Sequence, residues 1–71
     1  MPEQVSELWR RIEHIAQEKH GIRAYLVLHG AGISSTTVRL LRLGRLPKSD
    51  SSREKIAEAL GVSADELFGR D

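Results

Sequence analysis

Gly30-Ala31-Gly32-Ile33-Ser34-Ser35-Thr36-Thr37-Val38-Arg39-Leu40-Leu41-Arg42-Leu43-Gly44 is a helix stop followed at once by a helix start, with a second stop after it. Gly30 and Gly32 mark the end of one short helix, because glycine alone takes positive φ without steric cost. Ser34 is a natural N-cap for the next, predicted over Ser35 to Leu43 and closed by Gly44. Val38 and Leu41, three apart, seat that helix on a core, and apolar Ile33 plugs the corner.

Charge gathers around the same corner. No acidic residue occurs between Glu18 and Asp50, while Arg23, Arg39, Arg42, Arg45 and Lys48 give residues 21–49 a formal charge of +5. Residues 1–20 sum to −1 and residues 50–71 to −3, so the overall +1 conceals a polarised chain. An ordinary solvated face mixes signs. A basic middle between acidic flanks instead suggests a surface that meets a polyanion, with DNA the first candidate.

Outward from the corner, the helical pattern continues in both directions. Val5, Leu8, Trp9, Ile12, Ile15 and Ala16 recur at three- and four-residue steps, predicting a long amphipathic helix over residues 3–19. Pro2 suits its start and Gly21 its stop. A second helix fits Arg23 to Gly30, and Arg45-Leu46-Pro47-Lys48 reads as a loop. Ser51-Ser52-Arg53-Glu54 has the form of a capping box opening a fourth helix through Leu60, with Gly61 after it. Ser63-Ala64-Asp65-Glu66 is a second such box, opening a short fifth helix that ends near Gly69, with Val62 and Leu67 placed as a staple.

Nothing alternates with period two and nothing repeats internally. The expected architecture is an all-α, compact five-helix single domain over residues 1–71: a long N-terminal helix to residue 20, a helix–turn–helix unit over 21–44, and C-terminal helices over 45–71. The expected core is Leu8, Trp9, Ile12, Ile15, Val27, Ile33, Val38, Leu41, Ile56, Ala57, Leu60, Val62, Leu67 and Phe68.

Composition narrows the function. The chain has no cysteine, so there is no disulfide framework and no thiolate metal site, which fits a cytoplasmic location. His14, His20 and His29 are not spaced as a metal pair on one helix face and read as surface or helix-end residues. No apolar run is long enough to span a bilayer, and no signal-peptide pattern stands at the N-terminus. With Trp9, Tyr25 and Phe68 its only aromatics, the chain is poorly equipped to stack single-stranded bases. Neither a nucleophile–base arrangement nor a phosphate loop is present, so no enzyme activity, metal or cofactor is expected.

From Gly21 to Gly69 the sequence resembles the lambda-repressor and Cro-like helix-turn-helix family (XRE type) of phage and bacterial transcriptional regulators. Gly21-Ile22 is similar to the family's Gly-Leu lead-in to helix 2, and Ala31-Gly32-Ile33-Ser34 to its Ala-Gly-Val-Ser turn. Gly44 falls where the family ends its recognition helix. The stretch Lys55-Ile56-Ala57-Glu58-Ala59-Leu60-Gly61-Val62-Ser63-Ala64-Asp65-Glu66-Leu67-Phe68 is nearly the family's C-terminal consensus. The resemblance implies a small repressor that binds double-stranded DNA as a homodimer.

On that reading Ser35, Thr36, Arg39 and Leu40 face base edges. Arg39 is the strong candidate for a bidentate guanine contact, and Leu40 for a thymine methyl. Arg23, Arg42, Arg45 and Lys48 hold phosphates.

The departures point elsewhere. The family's backbone-contacting Gln is Ala24 here, and Leu28 stands where it prefers a small residue, implying wider helix spacing. Tyr25, Leu26, Leu40, Leu43 and Leu46 are apolar at positions expected on the surface. They support an alternative: a protein-binding module of this fold (antiactivator, antitoxin or adaptor) that meets another regulatory protein through surface leucines.

Overall fold

In a computed structural model that describes residues 5–69, five α-helices follow one another: α1 (Glu7–His20), α2 (Ala24–Gly30), α3 (Ser35–Arg42), α4 (Asp50–Leu60) and α5 (Ala64–Phe68). No strand occurs among the described residues. The Cα radius of gyration of 11.1 Å equals the value of about 11 Å expected for a compact chain of this length.

Several helix boundaries differ from the sequence expectation. α1 starts at Glu7, not residue 3, because Ser6 is extended and its hydroxyl accepts the Trp9 N–H at 3.0 Å. It ends at His20, one residue later than expected; Pro2 and the expected first helical residues 3 and 4 lie outside the described residues. The expected capping box at Ser51 and Glu54 does not form. Ser49 caps α4 instead, accepting the Ser52 N–H at 3.1 Å, so Ser51 and Ser52 lie inside the helix. A serine two residues nearer the Pro47 loop is the first in chain order able to cap, and it places Asp50 in the first turn, where the helix dipole favours an acid.

The box at Ser63 does cap α5, accepting the Glu66 N–H at 3.1 Å; its hydroxyl also faces Glu66 Oε1 at 3.4 Å. Arg23 is the N-cap of α2, not its first helical residue, and Leu43 the C-cap of α3, not its last.

α3 is bracketed by two turns of one kind. After α2, Gly32 (φ +85°) donates to His29 O at 3.0 Å and Ile33 donates to Leu28 O at 3.0 Å. After α3, Gly44 (φ +87°) donates to Leu41 O at 3.0 Å and Arg45 to Leu40 O at 2.9 Å. Both are Schellman motifs, in which a left-handed residue lets the next two N–H groups satisfy the last carbonyls. At the first, Leu28 and Ile33 are both buried, supplying the apolar contact that favours the motif.

The core holds Trp9, Ile12, Ala16, Ala24, Leu28, Ile33, Val38, Leu41, Ile56, Ala57, Leu60 and Leu67. Leu8, Ile15, Val27, Val62 and Phe68, expected inside, are half-buried and pack against it. Ala24 and Leu28, singled out only as departures from a family pattern, are wholly buried.

α1 holds the assembly together at helix ends. Glu13 Oε1 accepts the Ala24 N–H at the start of α2, at 2.7 Å. Ser6 Oγ donates to Leu41 O at 3.2 Å, and the Ser6 N–H to Arg42 O at 3.0 Å, at the end of α3. His20 Nε2 lies 3.1 Å from Leu60 O at the end of α4, and Arg11 Nη1 donates to Leu67 O at 3.0 Å in α5. The carboxylate meets an N-terminus, while arginine and hydroxyl meet C-termini. Each sign is the one that the peptide dipoles favour. α1 packs on all four other helices, whereas α3 packs only on α1 and α2, at the edge of the molecule.

Candidate nucleic-acid interface

α3 carries the expected base-reading residues, and its register is set by its buried side. Ser34 Oγ accepts the Thr37 N–H at 3.2 Å and also bonds Thr37 Oγ1 at 3.0 Å, so Thr37 serves the cap. Val38 and Leu41 point into the core. At about 100° per residue, the rest of the circumference is left to Ser35, Thr36, Arg39, Leu40, Arg42 and Leu43, all of them exposed. The Schellman turn then holds Arg45 beside the helix end, with Leu46 and Lys48 exposed in the loop that follows.

Arginines from α1, α3 and the N-cap of α2 line one open groove of roughly 1060 Å³: Arg10 from α1, Arg23 before α2, and Arg39 and Arg42 from α3. Trp9, His14, Tyr25, His29, Ser35 and Leu43 complete much of its wall, and Glu13 is its one acid among the described residues. His29 and Tyr25 stack edge to face, centroids 6.3 Å apart, and His14 Nε2 faces Glu18 Oε2 at 3.3 Å.

Of the expected phosphate contacts, Arg42 belongs to the groove, whereas Arg45 and Lys48 lie outside its lining. Arg23 is committed differently: its Nε donates to Glu13 Oε2 at 3.1 Å, so part of its guanidinium already has an anion. Among the described residues, Arg39 and Arg45 make no ion pair, which leaves their charge to be met from outside.

Arg10 is not among the residues expected from the sequence. Its helical stripe with His14 and Gln17 is visible in the spacing, but which neighbour that stripe faces depends on how α1 crosses α3. The expected apolar positions are all exposed: Tyr25, Leu26, Leu40, Leu43 and Leu46, joined by Ile22. Tyr25 and Leu43 share the groove wall, whereas Leu26 is not part of it.

Among the described residues no group of three histidine, cysteine or acidic side chains is placed to hold a metal ion. No helix among them is long and apolar enough to cross a membrane. No family model, curated protein or solved structure matches this chain.

Proposed function

We propose that this chain is a small transcriptional regulator that binds double-stranded DNA sequence-specifically as a dimer. In this reading α2, the Gly32 turn and α3 form a helix-turn-helix of the lambda-repressor kind, with α3 as the recognition helix. The observation that carries it is the state of α3: seated on Val38 and Leu41 alone, it leaves Ser35, Thr36, Arg39 and Leu40 exposed beside a groove lined by arginines. An α-helix fits the major groove, and short hydroxyls near its start with a guanidinium at its middle are the donors that read base edges there.

The division of labour follows from position. Arg39, at mid-helix, takes a guanine, and Leu40 a thymine methyl. Arg42, Arg45 and Lys48, at and beyond the helix end, meet phosphates, and Arg10 extends that set onto α1. Arg23 contributes less than its charge suggests, because it shares Glu13. One recognition helix covers only a few base pairs, so two copies would set their helices about one DNA turn, ~34 Å, apart.

A gel shift with the DNA flanking its own gene, under salt titration, tests this. The expected result is a complex that survives nonspecific competitor and weakens steeply as salt rises. Absence of any complex at low salt would overturn the reading.

A further inference from the structure

Arg39-Leu40, Arg42-Leu43 and Arg45-Leu46 repeat one pair of residue types at three-residue steps. All six are exposed, with Leu40 at 40%, Leu43 at 61% and Leu46 at 47%. Among the described residues α3 packs only on α1 and α2, so no other helix there covers them. Arg39 and Arg42 line the groove together with Arg10, and Leu43 stands on its wall, whereas Leu40 is outside the lining.

Two occupants answer only half of this surface. Duplex DNA satisfies the arginines, but it offers leucine nothing beyond a thymine methyl. A second copy fails differently. Two α3 faces would set Arg39, Arg42 and Arg45 against their own like charges. The α4–α5 side brings Asp50, Glu54, Glu58, Asp65 and Glu66, but the large apolar side chains exposed among the described residues all lie between Ile22 and Leu46. The complement must bring carboxylates and apolar side chains together, at short intervals. An acidic amphipathic helix does so, its apolar face at three- and four-residue steps and its acids on either flank.

We propose that α3, with Arg45 and Leu46, docks an acidic amphipathic helix of a partner protein, the apolar face of that helix on the leucines and its carboxylates on Arg39, Arg42 and Arg10. Because Arg39 and Leu40 are also the residues assigned to base edges, the partner and DNA exclude one another. That last clause rests on the DNA-binding reading, and the docking does not. The device is an antagonist that imitates the charge of DNA and adds what DNA lacks.

The probe is a fluorescein-labelled peptide of roughly 15 residues, about four helical turns, with leucines on one face and glutamates flanking them. Its control has the same composition with the leucines spread around the helix. Fluorescence anisotropy should give the patterned peptide about a tenfold advantage, the scale of burying one or two half-exposed leucines. The advantage should vanish in a Leu40→Ser, Leu43→Ser variant, and both peptides should be lost in an Arg39→Glu, Arg42→Glu variant.

Equal binding of the two peptides to the parent overturns the proposal, as does an advantage that persists without the leucines. Amide NMR shifts on the parent protein give a readout independent of any variant's folding: changes along α3 and the groove support the docking, and changes centred on α4 and α5 overturn it. A duplex arm separates the two readings. Displacement of bound duplex by the patterned peptide supports exclusion, and simultaneous binding overturns that clause. If the protein binds no duplex, the DNA reading and the exclusion clause fall together, while the docking stands or falls on the peptide arms.

Discussion

The Glu13 carboxylate, in the middle of α1, accepts the backbone N–H of Ala24 at 2.7 Å and so caps α2 from another helix. The residue that should perform this task locally is Arg23, which makes no side-chain capping bond. Replacing Glu13 with Ala is expected to cost about 0.5–2 kcal/mol, the usual worth of a lost N-cap acceptor. The Arg23 side chain is 64% exposed, so its ion pair with Glu13 falls in the weak surface class, at most about 1 kcal/mol. Urea denaturation of Glu13→Ala and Arg23→Ala should therefore rank the first as the more damaging. Because Glu13→Ala removes both interactions and Arg23→Ala only the ion pair, equal losses would show that the ion pair, not the cap, joins α1 to α2.

Gly44 and Gly32 offer a matched comparison. Both are left-handed, with φ of +87° and +85°, so alanine at either is expected to cost about 1–2 kcal/mol in backbone strain. A Cβ at Gly32 meets nothing within 4 Å, whereas one at Gly44 comes within 3.0 Å of Ser6 Cβ. Gly44→Ala should lower the melting temperature more than Gly32→Ala, because it also pushes Ser6 off the end of α3. Equal losses would mean that the Ser6 segment yields without cost.

Burial separates two leucines of the same size. Leu60 is fully buried, and truncation to Ala should cost about 2–5 kcal/mol through lost transfer energy and the cavity left behind. Leu43 is 61% exposed, so its truncation should stay within about 0.5 kcal/mol. Chemical denaturation of both variants checks this. A large loss at Leu43 would reveal that it packs, either within the chain or between copies.

The arginines divide by what they would touch on DNA. Arg45→Ala and Arg10→Ala should weaken specific and nonspecific duplexes alike and flatten the salt slope by about 1 each, one phosphate contact apiece. Arg39→Ala should instead erase preference between sites, losing about 1–3 kcal/mol of discrimination at one base pair. Titrations of two unrelated duplexes at several salt concentrations measure both effects. If all three variants bind every duplex as the parent does, the face is misassigned.

The signals that were legible are local. Ser34 and Ser63 cap the helices expected of them, and Gly21, Gly44 and Gly61 end theirs, because a cap or a left-handed stop depends on residues within a few positions. Two competing local signals are not ranked by sequence alone: Ser49 and Ser51 both offer a hydroxyl three residues before a free N–H, and Ser49 takes the cap. Val38 and Leu41 were legible as the seat of α3 because their spacing already implies one face.

By itself, then, the sequence determined five helices, their stops and the charged, leucine-bearing surface of the third, all of which depend on short-range hydrogen bonds and periodicity. Only the tertiary structure decided that Ser6, Arg11, Glu13 and His20 of the α1 segment meet the ends of the other four helices, and that Arg10 and Arg39 line one groove. Those pairings join residues up to 56 positions apart. No local rule sets such a distance, because it depends on the angles at which packed helices cross, and those are fixed only once Leu28, Leu41, Leu60 and Leu67 share one core.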